Sequence, residues 1–305
     1  MPTVKVKNEE TTVLNLNTDT QLGEEESYAK FIIRRFLKHK FAVIGIILFS
    51  LIVLVALAAP LLAPYSPYEI HEEFGASPSL AHILGTDLVG RDLLSRLIYA
   101  CRVSLAVGIG AVSIYVVIGV TLGAVAGYFG KWIDMIIMRI TDVFMSFPFL
   151  MVILVIVSIM GPSLMNIIII LGLLGWPGIA RIVRGSVLSI KEADYIKASI
   201  ALGYSSSRII FRHILPNCLA PILVNATFGI ASAIIMEASL SFLGMGVQPP
   251  TASWGNILKD AQSITVLTTQ PWLWIPPGLL ILFAVLSINF IGDGLRDAMD
   301  PKNLK

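Results

Sequence analysis

Long stretches without a single charge recur along this chain, and lipid is the solvent that favours them. A helix rises 1.5 Å per residue, so roughly 20 apolar residues cross the ~30 Å hydrocarbon layer. Inside that layer the backbone has only itself to hydrogen-bond with, which leaves helices or closed barrels. The runs lack the two-residue alternation of barrel strands, and the pattern therefore predicts an all-α integral membrane protein. Composition agrees, with 56% hydrophobic and 14% charged residues, against about 25% charged in an ordinary soluble domain.

Six transmembrane helices are expected, at about 41–62, 103–129, 139–160, 163–182, 218–243 and 272–292. The uninterrupted apolar sequence from Val143 to Ala180 is divided between the third and fourth because Gly161-Pro162-Ser163 is a turn signal. In the second, Gly119, Gly123 and Gly127 recur four apart and form a flat ridge for another helix to approach. Between the first two spans, Gly85 to Ala100 reads either as an amphipathic helix on the outer interface or as a linker. Within the fourth, Gly175 precedes Trp176, Pro177 and Gly178, which are candidates for a hinge or a pathway lining.

Basic loops stay on the cytoplasmic side. With the N-terminus inside, only Arg91, Arg96, Arg102 and Lys259 fall outside, so both termini are expected in the cytoplasm. The order is then a disordered cytoplasmic tail (1–30), an anchor helix with an extracytoplasmic segment (31–101), a compact bundle (102–292) and a cytoplasmic C-terminus (293–305). The polar start, with Glu24-Glu25-Glu26, lacks the features of a cleavable signal, which makes the first span an uncleaved anchor. Cys101 and Cys218 are expected at opposite faces of the bilayer, too far apart to pair. Few charges lie at membrane depth. Glu237, near the outer end of the fifth span, is expected to meet a backbone amide or Arg102, and Arg139 and Asp142 to pair locally.

One polar segment interrupts this pattern, the loop 186–216 between the fourth and fifth spans. Ser189 and Glu192 have capping-box spacing, so a helix is expected to start there. It runs to Leu202, with Ala193, Ile196 and Ile200 on the face offered to a partner, and stops at Gly203. A second helix, Arg208 to Ile214, should end near Leu215 because Pro216 disfavours helix before it. A structured polar hairpin on a membrane bundle is a handle for a soluble partner.

That hairpin resembles the EAA loop of ABC-importer permeases, a pattern in which Lys197, Ala198, Ser199, Gly203, His213, Leu215 and Pro216 align. Lys197, Ser199 and His213 replace a Glu, an Ala and an Ile of that pattern, the His being usual in its peptide-importer branch. The segments 34–45, 82–105, 134–148, 237–256 and 290–301 are similar to the second permease subunit of dipeptide and oligopeptide importers, so the resemblance covers roughly 30–302. It implies a type I (MetI-like) permease bundle whose coupling loop, with Glu192, Ala193 and Arg212 beside the aligned residues, docks on an ATPase. It further implies a homologous permease partner, two cytoplasmic ATP-binding subunits that carry ATP and Mg, an extracytoplasmic peptide-binding protein, and a location in the inner membrane among lipid.

No cofactor, metal, catalytic residue or nucleic-acid partner is expected of this chain. Gly130-Lys131 is followed by Trp132 and lacks the earlier glycine of a Walker A loop, and no Cys/His spacing suits zinc. Nickel or another metal chelate is the alternative cargo. A secondary carrier is disfavoured because no acidic residue stands near mid-bilayer.

Overall fold

The computed structural model describes residues 28–299. Among them the regular structure is helical: α1 (Tyr28–Lys38), α2 (Lys40–Leu57), α3 (Ala59–Leu62), α4 (Leu93–Phe129), α5 (Lys131–Ser146), α6 (Phe149–Met160), α7 (Leu164–Lys191), α8 (Asp194–Ala201), α9 (Ser206–Ile209), a π-helical turn (Ile210–Ile214), α10 (Leu215–Phe242), α11 (Trp254–Leu258), α12 (Ile264–Thr269) and α13 (Ile275–Met299). Five helices are long and apolar enough to cross a membrane, or six if α5 and α6 count as one bent span. The expected tail at 1–30 lies almost wholly outside the described residues, as does the end of the chain beyond Met299.

The boundaries depart from expectation where local chemistry overrides hydropathy. The stretch Gly85–Ala100 is neither an interfacial helix nor a linker as a whole. Its first half is a series of turns, and Leu93 opens a 37-residue helix that continues through the second span. Asp92 sets that start by accepting from Ser95 N at 2.8 Å and Ser95 Oγ at 2.7 Å. The third span is not continuous: α5 and α6 meet at 85°. Pro148 forces Phe147 into an extended conformation and cannot continue the hydrogen-bond ladder. The fourth and sixth spans overrun their expected ends, reaching Lys191 and Met299. Pro177 stays inside α7 without ending it.

Close approach organises the bundle. A Cβ on Gly119 would stand 2.0 Å from Ile179 Cγ2, one on Gly123 2.5 Å from Ala180 O, and one on Gly127 2.8 Å from Val187 Cβ. The ridge thus packs within the chain, letting α4 lie against α7 where any side chain would hold the helices apart. The anchor helix α2 lies along α13, with Gly294 against Ala42 and the Phe41 and Phe290 rings 5.3 Å apart. Gly292 of α13 meets Thr227 and Phe228 in the first half of α10. The start of α2, the end of α13 and the hairpin 192–214 therefore share one end of the bundle.

At the opposite end, segment 63–92 folds onto α4 through buried polar groups. The Asp87 carboxylate accepts from Arg91 Nε at 2.7 Å and pairs with buried Arg96 at 3.3 Å, while His82 Nδ1 lies 2.9 Å from Asp92. Cys101 and Cys218 are both free and buried.

Candidate functional site

The hairpin is built from its own buried isoleucines. Ile196, Ile209 and Ile214 are fully or almost fully buried and share a cluster with Val183, Val187 and Ala124 of α7 and α4. Hairpin and spans therefore form one packed body. Ile196 faces that core and not a partner, which corrects the expected apolar docking face. What remains outward is Tyr195, Ile200, Leu202 (73% exposed) and Phe211 (71% exposed).

The elbow forms as the glycine signal predicts, but the helices around it begin and end elsewhere. Gly203 has φ +75°, with Tyr204 N donating back to Ser199 O at 3.2 Å. Ser189 caps nothing: α7 continues through it, Glu192 is the last-turn cap of α7, and α8 starts at Asp194 after the extended Ala193. Nor does the second helix stop at Leu215. The π-turn widens the ladder at Ile210–Ile214, and Pro216 falls in the first turn of α10, where its missing N–H is tolerated. Hairpin and fifth span are consequently one helical rod from Ser206 to Phe242.

The remaining candidate residues spread over this surface. Glu192 and Lys197 form an exposed ion pair at 3.0 Å, worth little by itself. Ala198 and Arg212 are exposed, while Ser199 is buried and donates to Tyr195 O at 2.8 Å. His213 stacks on Tyr204 with centroids 6.3 Å apart, and Arg208 covers the same ring at 4.3 Å. Leu215 is half-buried and Pro216 exposed.

Two staples join α5 to α7 above the hairpin. Arg184 grips Asp134 with two nitrogens, Nη2 at 2.6 Å, and Arg181 holds Asp142 at 2.7 Å. Asp142 thus pairs across to α7 and not with Arg139, because α5 turns its acidic side toward that helix. Lys191 Nζ adds a hydrogen bond of 2.6 Å to Tyr128 O at the end of α4.

A cavity of about 500 Å³ opens between α4, α5, α6, α7 and α10. No charged side chain lines it. Its wall combines aromatic and methionine side chains with Asn225, Ser232 and the Tyr115 phenol. Pro177 and Gly178 are part of that wall. Trp176 turns away, buried and edge-on to Phe144 with centroids 5.5 Å apart. Tyr115 carries no motif in the sequence, since its place depends on glycines in two distant helices.

Glu237 is wholly buried near the opposite end, and its partners are serines, not Arg102 or a backbone amide. Oε1 accepts from Ser241 Oγ at 2.6 Å and Ser253 Oγ at 2.8 Å. Those serines, together with Ser104, accept from the backbone N–H groups of Val247, Asn256 and Trp254. The carboxylate thereby ties the segment after α10 to the core. In that segment, burial and neighbouring Asp87 hold the Asp260 carboxyl above the usual range, opposed by Arg96, Arg91 and Lys259.

The described residues thus form a helical bundle with a polar hairpin packed onto one end and an uncharged internal cavity. Comparison with known proteins fixes the class. The model for the binding-protein-dependent transport system inner membrane component matches residues 119–305, and that for the N-terminal TM domain of oligopeptide transport permease C matches 27–78. The chain is 45% identical to the dipeptide transport system permease protein DppC of Alkalihalophilus pseudofirmus, over 87% of each chain. It is 42% identical to the glutathione transport system permease protein GsiD of Pectobacterium atrosepticum, over 88% of this chain and 89% of that one. Among solved structures, an inward-facing MetNI methionine ABC transporter chain matches with a TM-score of 0.54 and 25% identity, covering 68% of this chain and 97% of that one. The chain belongs to the family of binding-protein-dependent transport system inner membrane components, the permeases of ABC importers.

Proposed function

We propose that this permease carries dipeptides and short oligopeptides inward, paired with a homologous permease. Two cytoplasmic ATPase subunits bind ATP and Mg, and an extracytoplasmic binding protein delivers the cargo. Both termini and the hairpin lie in the cytoplasm, a reading supported by the common end of the bundle that the start of α2, the end of α13 and the hairpin share, and by the basic residues of the sequence. The observation that carries this reading is the hairpin itself. Its inner face is locked to α4 and α7, while Leu202, Phe211, Ile200 and Tyr195 are left for a partner groove to bury. ATP-driven closure of the ATPases moves both hairpins, and each hairpin moves its spans because helix and span are one rod.

The relatives named for dipeptide and glutathione transport support a small peptide as cargo, and the uncharged cavity suits peptides of varied side-chain charge. The test is reconstitution of the two permeases and two ATPase subunits with the binding protein, and measurement of ATPase stimulation by a ligand panel. Stimulation by di- to pentapeptides, and not by a nickel chelate, is expected. Stimulation by the chelate alone, or uptake lost to an uncoupler while ATP stays high, overturns the reading.

A further inference from the structure

Tyr115 occupies a slot that exists only because two residues on other helices lack side chains. A Cβ on Gly229 of α10 would stand 1.4 Å from the Tyr115 hydroxyl oxygen and 2.7 Å from Cζ. A Cβ on Gly175 of α7 would stand 2.8 Å from Cδ1 and 3.2 Å from Cγ. The ring therefore lies over both glycine positions at once, while its remaining exposure faces the cavity it shares with Asn225, Ser232 and Phe228. Of the other wall side chains, Ile179 lies over Gly119 and Phe228 over Gly292, each over one glycine where Tyr115 lies over two. Gly178, also at the cavity, has open space around its Cβ position.

We propose that Tyr115, parked across Gly175 and Gly229, sets the size of cargo this permease passes. With the ring in the slot the cavity keeps its width of passage; with the slot filled, the ring has only the cavity to enter. Filling it at Gly229 displaces a phenol whose Cζ as well as its hydroxyl is too close, so removing the oxygen alone gives no relief. This inference rests on the cavity being the cargo path, and the experiment separates the two.

Uptake of labelled dipeptide and pentapeptide is measured with the whole complex in proteoliposomes. Gly229→Ala is expected to lower pentapeptide uptake relative to dipeptide uptake, because the displaced ring narrows the passage and the longer cargo loses most. Tyr115→Ala in the Gly229→Ala background restores the ratio, and Tyr115→Phe in that background does not. Complex recovered at wild-type yield by size exclusion separates these effects from failed assembly. In parallel, Ser232→Cys is labelled with a thiol reagent, the native cysteines being buried. Protection of Ser232→Cys by peptide and ATP supports the path. If Ser232→Cys is protected but the length ratio is the same in Gly229→Ala and wild type, or Tyr115→Ala does not restore it, the assignment to Tyr115 is wrong. If Ser232→Cys is never protected, the path itself is wrong and the inference falls with it.

Discussion

Ile196 is the only large side chain of α8 that is wholly buried, and Ser199 is the helix's one other buried residue. Eight residues are too few to form a helix alone in water. The docking of α8 therefore depends on Ile196 in the cluster with Val183, Val187 and Ile214. Truncating a fully buried isoleucine to alanine costs about 2–5 kcal/mol. At 1.4 kcal/mol per tenfold, Ile196→Ala should raise the undocked population of α8 by roughly 30-fold to a few thousand-fold. The bundle itself should survive, since its other interfaces are untouched. Hydrogen exchange across 194–203 reads the undocking, and peptide taken up per ATP hydrolysed reads its consequence. The expectation is faster exchange confined to the hairpin together with a fall in peptide per ATP. Faster exchange with an unchanged transport ratio refutes the rigid-lever reasoning.

Other variants probe separate parts of the account. Gly203→Val places a β-branched residue at φ +75°, a conformation costing about 1–3 kcal/mol, and should abolish peptide-stimulated ATPase activity while membrane insertion persists. Normal stimulation in a well-assembled Gly203→Val complex argues against a fixed elbow. Glu237→Ala removes the acceptor that orients Ser241 and Ser253, and exchange at Val247 and Asn256 should accelerate about tenfold or more. Equal protection in that variant rules out the carboxylate as the tie. Asp260 gives a pH test with a definite sign. Its carboxyl titrates above the ordinary value in the fold, so the ionised form costs stability at neutral pH. That cost is relieved as pH falls through the raised value toward the ordinary one. Asp260→Asn should therefore melt higher than the parent at pH 7.5, with the gap narrowing on acidification. A gap that widens on acidification contradicts the assignment.

The sequence made the spans legible because burial in lipid leaves a one-dimensional signal, long runs without charge. It made the Gly119–Gly127 ridge and the Gly203 elbow legible because glycine records a backbone requirement at its own position. The 85° turn between α5 and α6 was signalled only by Pro148, which sits inside an apolar run where hydropathy gives no warning. The capping-box spacing at Ser189 and Glu192 was locally valid but lost to the packing of α7, whose Val187 is buried against Gly127 and whose Lys191 reaches Tyr128 O. Pairings such as Asp134 with Arg184, Glu237 with Ser253, and Tyr115 with Gly229 join residues far apart in the chain. They depend on the crossing of helices, which no local pattern encodes.

The central claim is that the hairpin bears the force of the motor. Cysteine crosslinking from Ala198→Cys, an exposed position on α8, to the ATP-binding subunits of the assembled transporter tests it most directly. A crosslink whose yield changes between nucleotide-free and ATP-bound states is the predicted result. Absence of any crosslink in an assembly that still transports peptide would contradict the account.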